Sequence, residues 1–168
     1  PAPKLSRLGR RAAPLSFSQE RLWFLEQFEP GTSLYHLPYA VRILGALNIV
    51  LLSRAINRVV DRHEALRTVF RNEDGHVSQH VLPQYGLAMR IEHLDDATES
   101  GVRKIAMEEA RTPFRFESAP LIRVRIFEIQ PTEHLLLLTL HHLIADGWSI
   151  GLLLDEVNKC YNAELAGG

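Results

Sequence analysis

The sequence predicts an α/β fold, a two-layer sandwich in which about four helices pack on a mixed, largely antiparallel sheet. Four stretches carry the apolar spacing of amphipathic helices, and about six or seven runs read as strands. Several strands follow one another through short turn signals such as Asp74-Gly75, and strands joined by tight turns pair antiparallel. The 168 residues, 46% hydrophobic and 23% charged, are enough for one core of this kind.

Capping residues and apolar spacing place the four helices. Ser16 and Gln19 form a capping box ahead of the first helix, and Asp96 and Glu99 repeat the pattern ahead of the third. The predicted helices run from Ser18 to Phe28, from Ile49 to near Glu64, from the second capping box to before Pro113, and from Gly147 to Glu164. Spacing assigns the core-facing side of the first helix to Leu22, Leu25 and Phe28.

The runs between the helices predict the strands. Tyr39 to Ile43 alternates apolar and polar side chains, as a half-buried strand does. The runs 67–71 and 77–82 flank the Asp-Gly turn and are predicted to form a hairpin. Ile122 to Phe127 again alternates, whereas His134 to His142 is nearly unbroken leucine. That last run is therefore predicted to be a central strand, buried on both faces.

Charge is distributed unevenly along the chain. Residues 1–13 carry four cations and no acid, so the 19 cations and 20 acids of the whole leave 15 and 20 for residues 14–168, a net charge of -5. Prolines and small residues among those cations favour an extended segment. The predicted organisation is a basic linker over 1–13 and one domain over 14–168. The acidic domain argues against nucleic acid as a partner.

Apolar runs and cysteine content bear on location. No apolar run approaches the roughly 20 residues of a membrane helix, so no membrane partner is expected. Cys160 has no second cysteine with which to form an internal disulfide, and is predicted to pack as a small apolar side chain. The expected location is the reducing cytoplasm.

The candidate site is the segment where the central strand ends and the last helix begins. Successive strand residues point to opposite faces, so one of His141 and His142 is expected to enter a cleft and the other to pack behind it. The following helix start presents N–H groups to a developing oxyanion. Gly147 is predicted to take a positive φ in the turn, and Ser149 to cap the helix.

Other kinds of site also use these residue types. Two histidines and an acid can ligate zinc or iron, but adjacent strand residues diverge and no further ligand cluster is evident, so no metal is predicted. His141 and Asp146 also have the His-x-x-x-x-Asp spacing of glycerolipid acyltransferases. Those enzymes act at membranes, for which the sequence shows no anchor. Ser149 lacks the Gly-x-Ser-x-Gly context of a serine nucleophile.

The segment His141–Gly147 resembles the His-His-x-x-x-Asp-Gly signature of the condensation domains of nonribosomal peptide synthetases. Two more stretches match that family in the same order. Leu15–Leu25 looks like its first motif, with Ser18 where alanine is usual, and Arg62–Phe70 matches its second throughout. The resemblance covers about residues 14–161.

This resemblance implies a fold like that of chloramphenicol acetyltransferase, in which two lobes flank an active-site tunnel. The 168 residues correspond to the N-terminal lobe, and the C-terminal lobe is expected to be absent from them. By resemblance His142 faces the tunnel and positions or deprotonates an amine, and the Gly147 N–H helps to hold an oxyanion or the thioester. His141 is implied to pack behind the site, and Asp146 to form a buried ion pair with Arg67.

The implied reaction joins a peptidyl or acyl thioester donor on an upstream carrier protein to an aminoacyl amine on a downstream carrier protein. Phosphopantetheine belongs to those carrier domains, and the condensation domain itself is expected to bind no cofactor. His141 contradicts the Asp-x-x-x-x-Asp pattern of heterocyclising members. A stand-alone acyltransferase of the same fold and a non-catalytic, carrier-binding lobe stay open as alternatives. The isolated lobe is expected to be inactive, because the tunnel needs a second wall.

Overall fold

The computed structural model of the chain describes residues 11–89, 91–94 and 96–167, and most of the predicted linker lies outside them. The helices are α1 (Phe17–Phe28), α2 (Ile49–Arg62), α3 (Glu99–Arg111) and α4 (Gly147–Leu165), with a 3₁₀ turn at Glu64–Arg67. The strands are β1 (Ala12–Pro14), β2 (His36–Leu44), β3 (Thr68–Glu73), β4 (His76–Val81), β5 (Ile91–His93), β6 (Ile122–Gln130) and β7 (Glu133–His141). The helices therefore match the predicted ones within a few residues.

The strands form two sheets instead of one. The smaller sheet has the order β1-β4-β3 and is antiparallel throughout. The larger has the order β2-β7-β6-β5, and its β5–β6 pair is parallel while the other two pairs are antiparallel. The predicted class, an α/β fold with four helices and mixed, largely antiparallel pairing, is confirmed. The predicted two layers are not, because helices cover both faces of the larger sheet. In the smaller sheet β4 is the middle strand, because β3 pairs with one of its edges and β1 with the other.

The first strand shortens the predicted linker. Ala12 lies opposite His80, and the N–H of Val81 donates to the carbonyl of Arg11 at 2.8 Å. Residues 12 and 13 therefore pair with the smaller sheet, two residues ahead of the predicted domain start at about Pro14. Three strand residues are too few to show an alternating pattern, so periodicity does not reveal this strand.

β7 is the central strand, as predicted, and is buried from His134 to His141. Its alternate leucines enter two different cores. Leu136, Leu138 and Leu140 pack with α2 and α4 on one face, whereas Leu135 and Leu137 pack with α3 on the other. Burial on both faces explains why this strand is almost continuously apolar.

The buried face of α1 only partly coincides with the one that apolar spacing selects, because Leu22 packs beside the small core but Phe28 does not. Trp23 and Glu26 are buried, while Phe28 is 76% exposed. Trp23 packs edge-on against Phe116 at 5.5 Å between ring centroids, and joins Phe70 in a small core. These aromatic partners lie far along the chain, so the spacing within α1 does not indicate them.

Substitutions at two glycines test the backbone conformation of this fold. Gly75 has a φ of +82° in the β3–β4 turn, whereas Gly151 is an exposed residue inside α4 with no atom within 4 Å of an added Cβ. Gly75→Ala is expected to lower the free energy of unfolding by about 1–2 kcal/mol, because the left-handed conformation disfavours a Cβ. Gly151→Ala is expected to raise it by about 0.5–1 kcal/mol. Urea unfolding measures both, and destabilisation by Gly151→Ala would contradict the helical assignment.

Candidate active site

The two histidines at the end of β7 differ in burial. His141 is fully buried, and His142 is exposed. The backbone N–H of His141 donates to the carbonyl of Leu121 at 3.1 Å, and that of His142 to the carbonyl of Tyr35 at 2.9 Å. These acceptors come just before β6 and β2, the two strands that flank β7. Neighbours on both sides therefore fix the backbone from which the His142 side chain projects.

His141 makes two hydrogen bonds through its ring. The backbone N–H of Leu143 donates to Nδ1 at 3.1 Å, so Nδ1 carries no proton. Nε2 therefore carries the proton and donates it to Oε1 of Glu26 at 2.9 Å. Burial, together with repulsion from His36 and His142, lowers the pKa of His141 to about 3. The ring is thus neutral near pH 7, and burial also raises the pKa of Glu26.

Asp146 lies at the surface as the N-cap of α4. Its Oδ1 accepts hydrogen bonds from the backbone N–H of Ser149 at 2.8 Å and from the Ser149 hydroxyl at 2.6 Å. The same hydroxyl accepts from the N–H of Asp146, which completes a capping box. Ser149 is therefore the third residue of the helix and not its cap. The side-chain and backbone hydrogen bonds from Ser149 lower the pKa of the Asp146 carboxyl.

Arg67 is held by other groups, and the predicted Asp146–Arg67 ion pair is wrong. The Arg67 guanidinium donates to the carbonyl of Leu82, and its Nη2 lies 3.8 Å from the carboxylate of Glu64. Glu64 belongs to the same 3₁₀ turn, so this contact needs no folding of distant segments. Asp146 likewise satisfies the start of its own helix, because a carboxylate directly ahead of a helix reaches the N–H groups of its first turn.

Gly147 is the first residue of α4 and does not take the predicted positive φ. Asp146 has a φ of -127° and a ψ of 177°, so the chain enters the helix through ordinary extended backbone. In the described residues, positive φ occurs at glycines 31, 45, 75 and 167 and at Asp74. An added Cβ on Gly147 would meet no atom nearer than the Tyr39 hydroxyl, at 4.0 Å. Neither conformation nor packing within the described part of the chain requires glycine here.

α1 supports the site from behind at two points. The side-chain amide of Gln19 donates to the carbonyl of Leu143 at 3.1 Å, and Glu26 accepts from His141. Sequence analysis missed Glu26. Gln19, Trp23 and Glu26 are spaced four and three residues apart, so they share one face of the helix. The sequence alone does not show that Trp23 is buried, so it gave no signal for Glu26.

An apolar groove of about 200 Å³ adjoins this segment, between α4, β7 and the 3₁₀ turn. Leu66, Leu140, Ile144 and Leu153 contribute much of its apolar wall. His63 and Glu156 also line it, with 3.0 Å between Nε2 and Oε2. Within residues 11–89, 91–94 and 96–167, no group of three His, Cys, Asp or Glu side chains could hold a metal ion. No helix in these same stretches has the length and apolarity to cross a membrane.

The cap geometry predicts how Asp146 couples to its neighbours. Asp146→Ala is expected to lower the melting temperature, because α4 loses its capping acceptor. A double-mutant cycle with Ser149→Ala should give a clear coupling free energy, since these two side chains are bonded. The matched cycle with Arg67→Met should give none. Coupling to Arg67 in thermal or urea unfolding would show that the two side chains are paired after all.

Comparison with known sequences places these features in a family. The family model described as Condensation domain matches residues 10–168. Malpinin synthetase of Mortierella alpina is 38% identical over 92% of this chain, and Malpibaldin synthetase of the same organism is 38% identical over 96%. The chain spans 2% of the first of these proteins and 3% of the second.

Solved structures show the same fold. The X-domain from teicoplanin biosynthesis is 29% identical with a TM-score of 0.85, and the match covers 98% of this chain and 35% of that one. The starter condensation domain of rhizomide synthetase RzmA is 20% identical with a TM-score of 0.86, covering 94% of this chain and 39% of that one, a likeness in fold alone. A family match along nearly the whole sequence, with curated relatives at this identity, shows that the chain belongs to the condensation-domain family.

Proposed function

We propose that this chain is the His142-bearing lobe of a domain that joins a peptidyl or acyl thioester to an aminoacyl amine, forming an amide. The observation that carries the proposal is the exposed His142 on a backbone held from both sides. Relatives that include Nonribosomal peptide synthetase kk1B of Curvularia clavata, 40% identical over 90% of this chain, support it. The reaction is that of an acyltransferase.

The chemistry of amide formation suits an imidazole at this place. The amine nitrogen attacks the thioester carbonyl carbon, a C–N bond forms, and the C–S bond breaks. The nitrogen loses one proton and the departing sulfur gains one, so His142 can accept the first and return the second. Holding the amine against the carbonyl also lowers the activation free energy of the reaction, because the reactants have already lost their freedom of motion on binding.

Gly147, the first residue of α4, has no side chain to cover its backbone N–H. A helix N-terminus carries a partial positive charge and N–H groups that stabilise a developing oxyanion. Conformation and packing in the described residues leave the choice of glycine unexplained. Close approach of the substrate to the Gly147 backbone accounts for it.

The substrates in this proposal arrive as thioesters on phosphopantetheine arms. Donor and acceptor carrier-protein domains, upstream and downstream of the condensation domain, bring them to the two ends of the tunnel. The C-terminal lobe of the domain forms the second wall, and the domain itself binds no cofactor. The curated relatives are long enough for such neighbours, since this chain spans only 1–3% of them.

A partner-binding role without catalysis is a second candidate. One observation favours it: the X-domain from teicoplanin biosynthesis, 29% identical over 98% of this chain, has been solved in complex with OxyB. A lobe of that kind would bind its partner through its surface. Its function would not depend on His142, so the following experiment separates the two candidates.

His142→Ala in the complete condensation domain is expected to abolish amide formation while loading of the donor carrier stays normal. The substitution removes the group proposed to handle the amine proton, on an exposed position where it leaves the core intact. His76→Ala, at an exposed position beside the β3–β4 turn, is the matched control. Mass spectrometry of the carrier-bound product measures the outcome. Near-normal condensation by His142→Ala would refute the catalytic assignment and leave the binding role.

The 168-residue chain by itself is expected to fold without catalysing condensation. Its cores are built from its own helices and strands, and a domain of this length buries about 70% of the surface that its unfolded chain exposes. Without a second wall, donor and acceptor are not held together and the proximity advantage is lost. Circular dichroism should show a cooperative melt, and loaded carriers should give no product. Turnover by the isolated chain would favour a stand-alone acyltransferase.

A further inference from the structure

A buried carboxylate lies behind the candidate site, and no step of the proposed reaction uses it. Glu26 is 3% exposed on the inner face of α1. Its Oε1 lies 2.9 Å from Nε2 of His141, whose ring is fully buried. Glutamate is almost never fully buried unless it is paired, so this contact is the reason that Glu26 can occupy the core.

The direction of this hydrogen bond is fixed by a second one. Because the N–H of Leu143 donates to Nδ1, the His141 ring keeps its proton on Nε2 and needs an acceptor there. Glu26 supplies that acceptor. Since the ring is neutral, what His141 requires from Glu26 is an oxygen at the right place, and a negative charge is not required.

The two residues that follow His142 are both hydrogen-bonded to His141, the residue that precedes it. The N–H groups of Leu143 and Ile144, the two residues after His142, both donate to His141: one to its ring at 3.1 Å, the other to its carbonyl at 3.0 Å. If Glu26 is removed, Nε2–H is left without a partner in the core. If the ring then rotates so that Nε2–H bonds to another acceptor, the hydrogen bond from the Leu143 N–H is lost. The turn that follows His142 is then no longer held in place.

We propose that Glu26 is a positioning residue of the amide-forming site: it orients the His141 ring, which holds the turn that aims His142. The inference rests on the proposed function and deepens it. If Glu26 had a purely structural role, its hydrogen bond would only stabilise the packing of α1 against the larger sheet. The two roles differ in what they change, because a fastening contact affects stability whereas a positioning contact affects kcat.

Three substitutions in the complete condensation domain separate these roles. Glu26→Gln keeps an oxygen where Oε1 lies and is expected to retain most of kcat. Glu26→Asp keeps the charge but withdraws the acceptor by one methylene, and Glu26→Leu removes it. Both are expected to lower kcat with little change in KM, with Glu26→Leu losing about 100-fold, the cost of a misplaced catalytic group.

Glu164→Leu is the matched control. The Glu164 side chain is 8% exposed and pairs with Arg58 at 2.8 Å, near the end of α4 opposite the site. Its loss should lower the melting temperature and leave kcat unchanged. Nitrogen-15 NMR of labelled histidine gives a readout independent of activity. A slowly exchanging Nε2–H signal of His141 is expected in the wild type, in Glu26→Gln and in Glu164→Leu, and should be lost in Glu26→Leu.

The outcomes are distinguishable. A normal kcat in Glu26→Asp and Glu26→Leu, or equal losses in Gln and Asp variants, overturns the positioning role while the proposed function stands. Absence of the protected Nε2–H signal in the wild type overturns the geometry on which it depends. If the wild-type domain forms no amide from loaded carriers, the proposed function fails and this inference fails with it. If Glu26→Leu does not fold, a kcat higher in Glu26→Gln than in Glu26→Asp still supports the positioning role, and the reverse or equal values contradict it.

Discussion

β7 is paired along both edges and buried on both faces, and the rest of the lobe is arranged around that constraint. A strand in this position cannot shift its register by one residue without exchanging its two cores. At the end of the strand the backbone is still hydrogen-bonded on both sides, through the N–H groups of His141 and His142. The site benefits directly, because His142 is the residue at which the buried strand emerges at the surface.

The buried polar groups beside this strand end form a small, satisfied network. His141 donates its Nε2–H to Glu26 and accepts from the N–H of Leu143, so both ring nitrogens are used. Gln19 binds the carbonyl of Leu143 from the same helix that carries Glu26. A polar network in a core specifies one arrangement more strongly than apolar packing does, because any other leaves a donor unpaired. This explains how a helix near the start of the chain can fix a turn more than a hundred residues later.

Asp146 and Arg67 each bind a side chain close by in the sequence and do not bind each other. Asp146 is three residues from Ser149, and Glu64 is three residues from Arg67, so each pair forms without closing a long loop. An exposed carboxylate with hydrogen bonds from its own helix gains little by leaving them for a distant guanidinium. The motif aspartate thus caps the helix whose first residue is Gly147.

The sequence by itself determined the helices and the central strand, because periodicity reflects contacts a few residues apart. It also determined the family, through short motifs, and the different burial of His141 and His142. Only the tertiary structure decided which face of α1 is buried and therefore that Glu26 lies behind the site. The aromatic side chains that rotate α1 come from distant segments, and apolar spacing favoured Phe28, which is exposed. Pairing between remote residues depends on how complete elements pack, which no local pattern encodes.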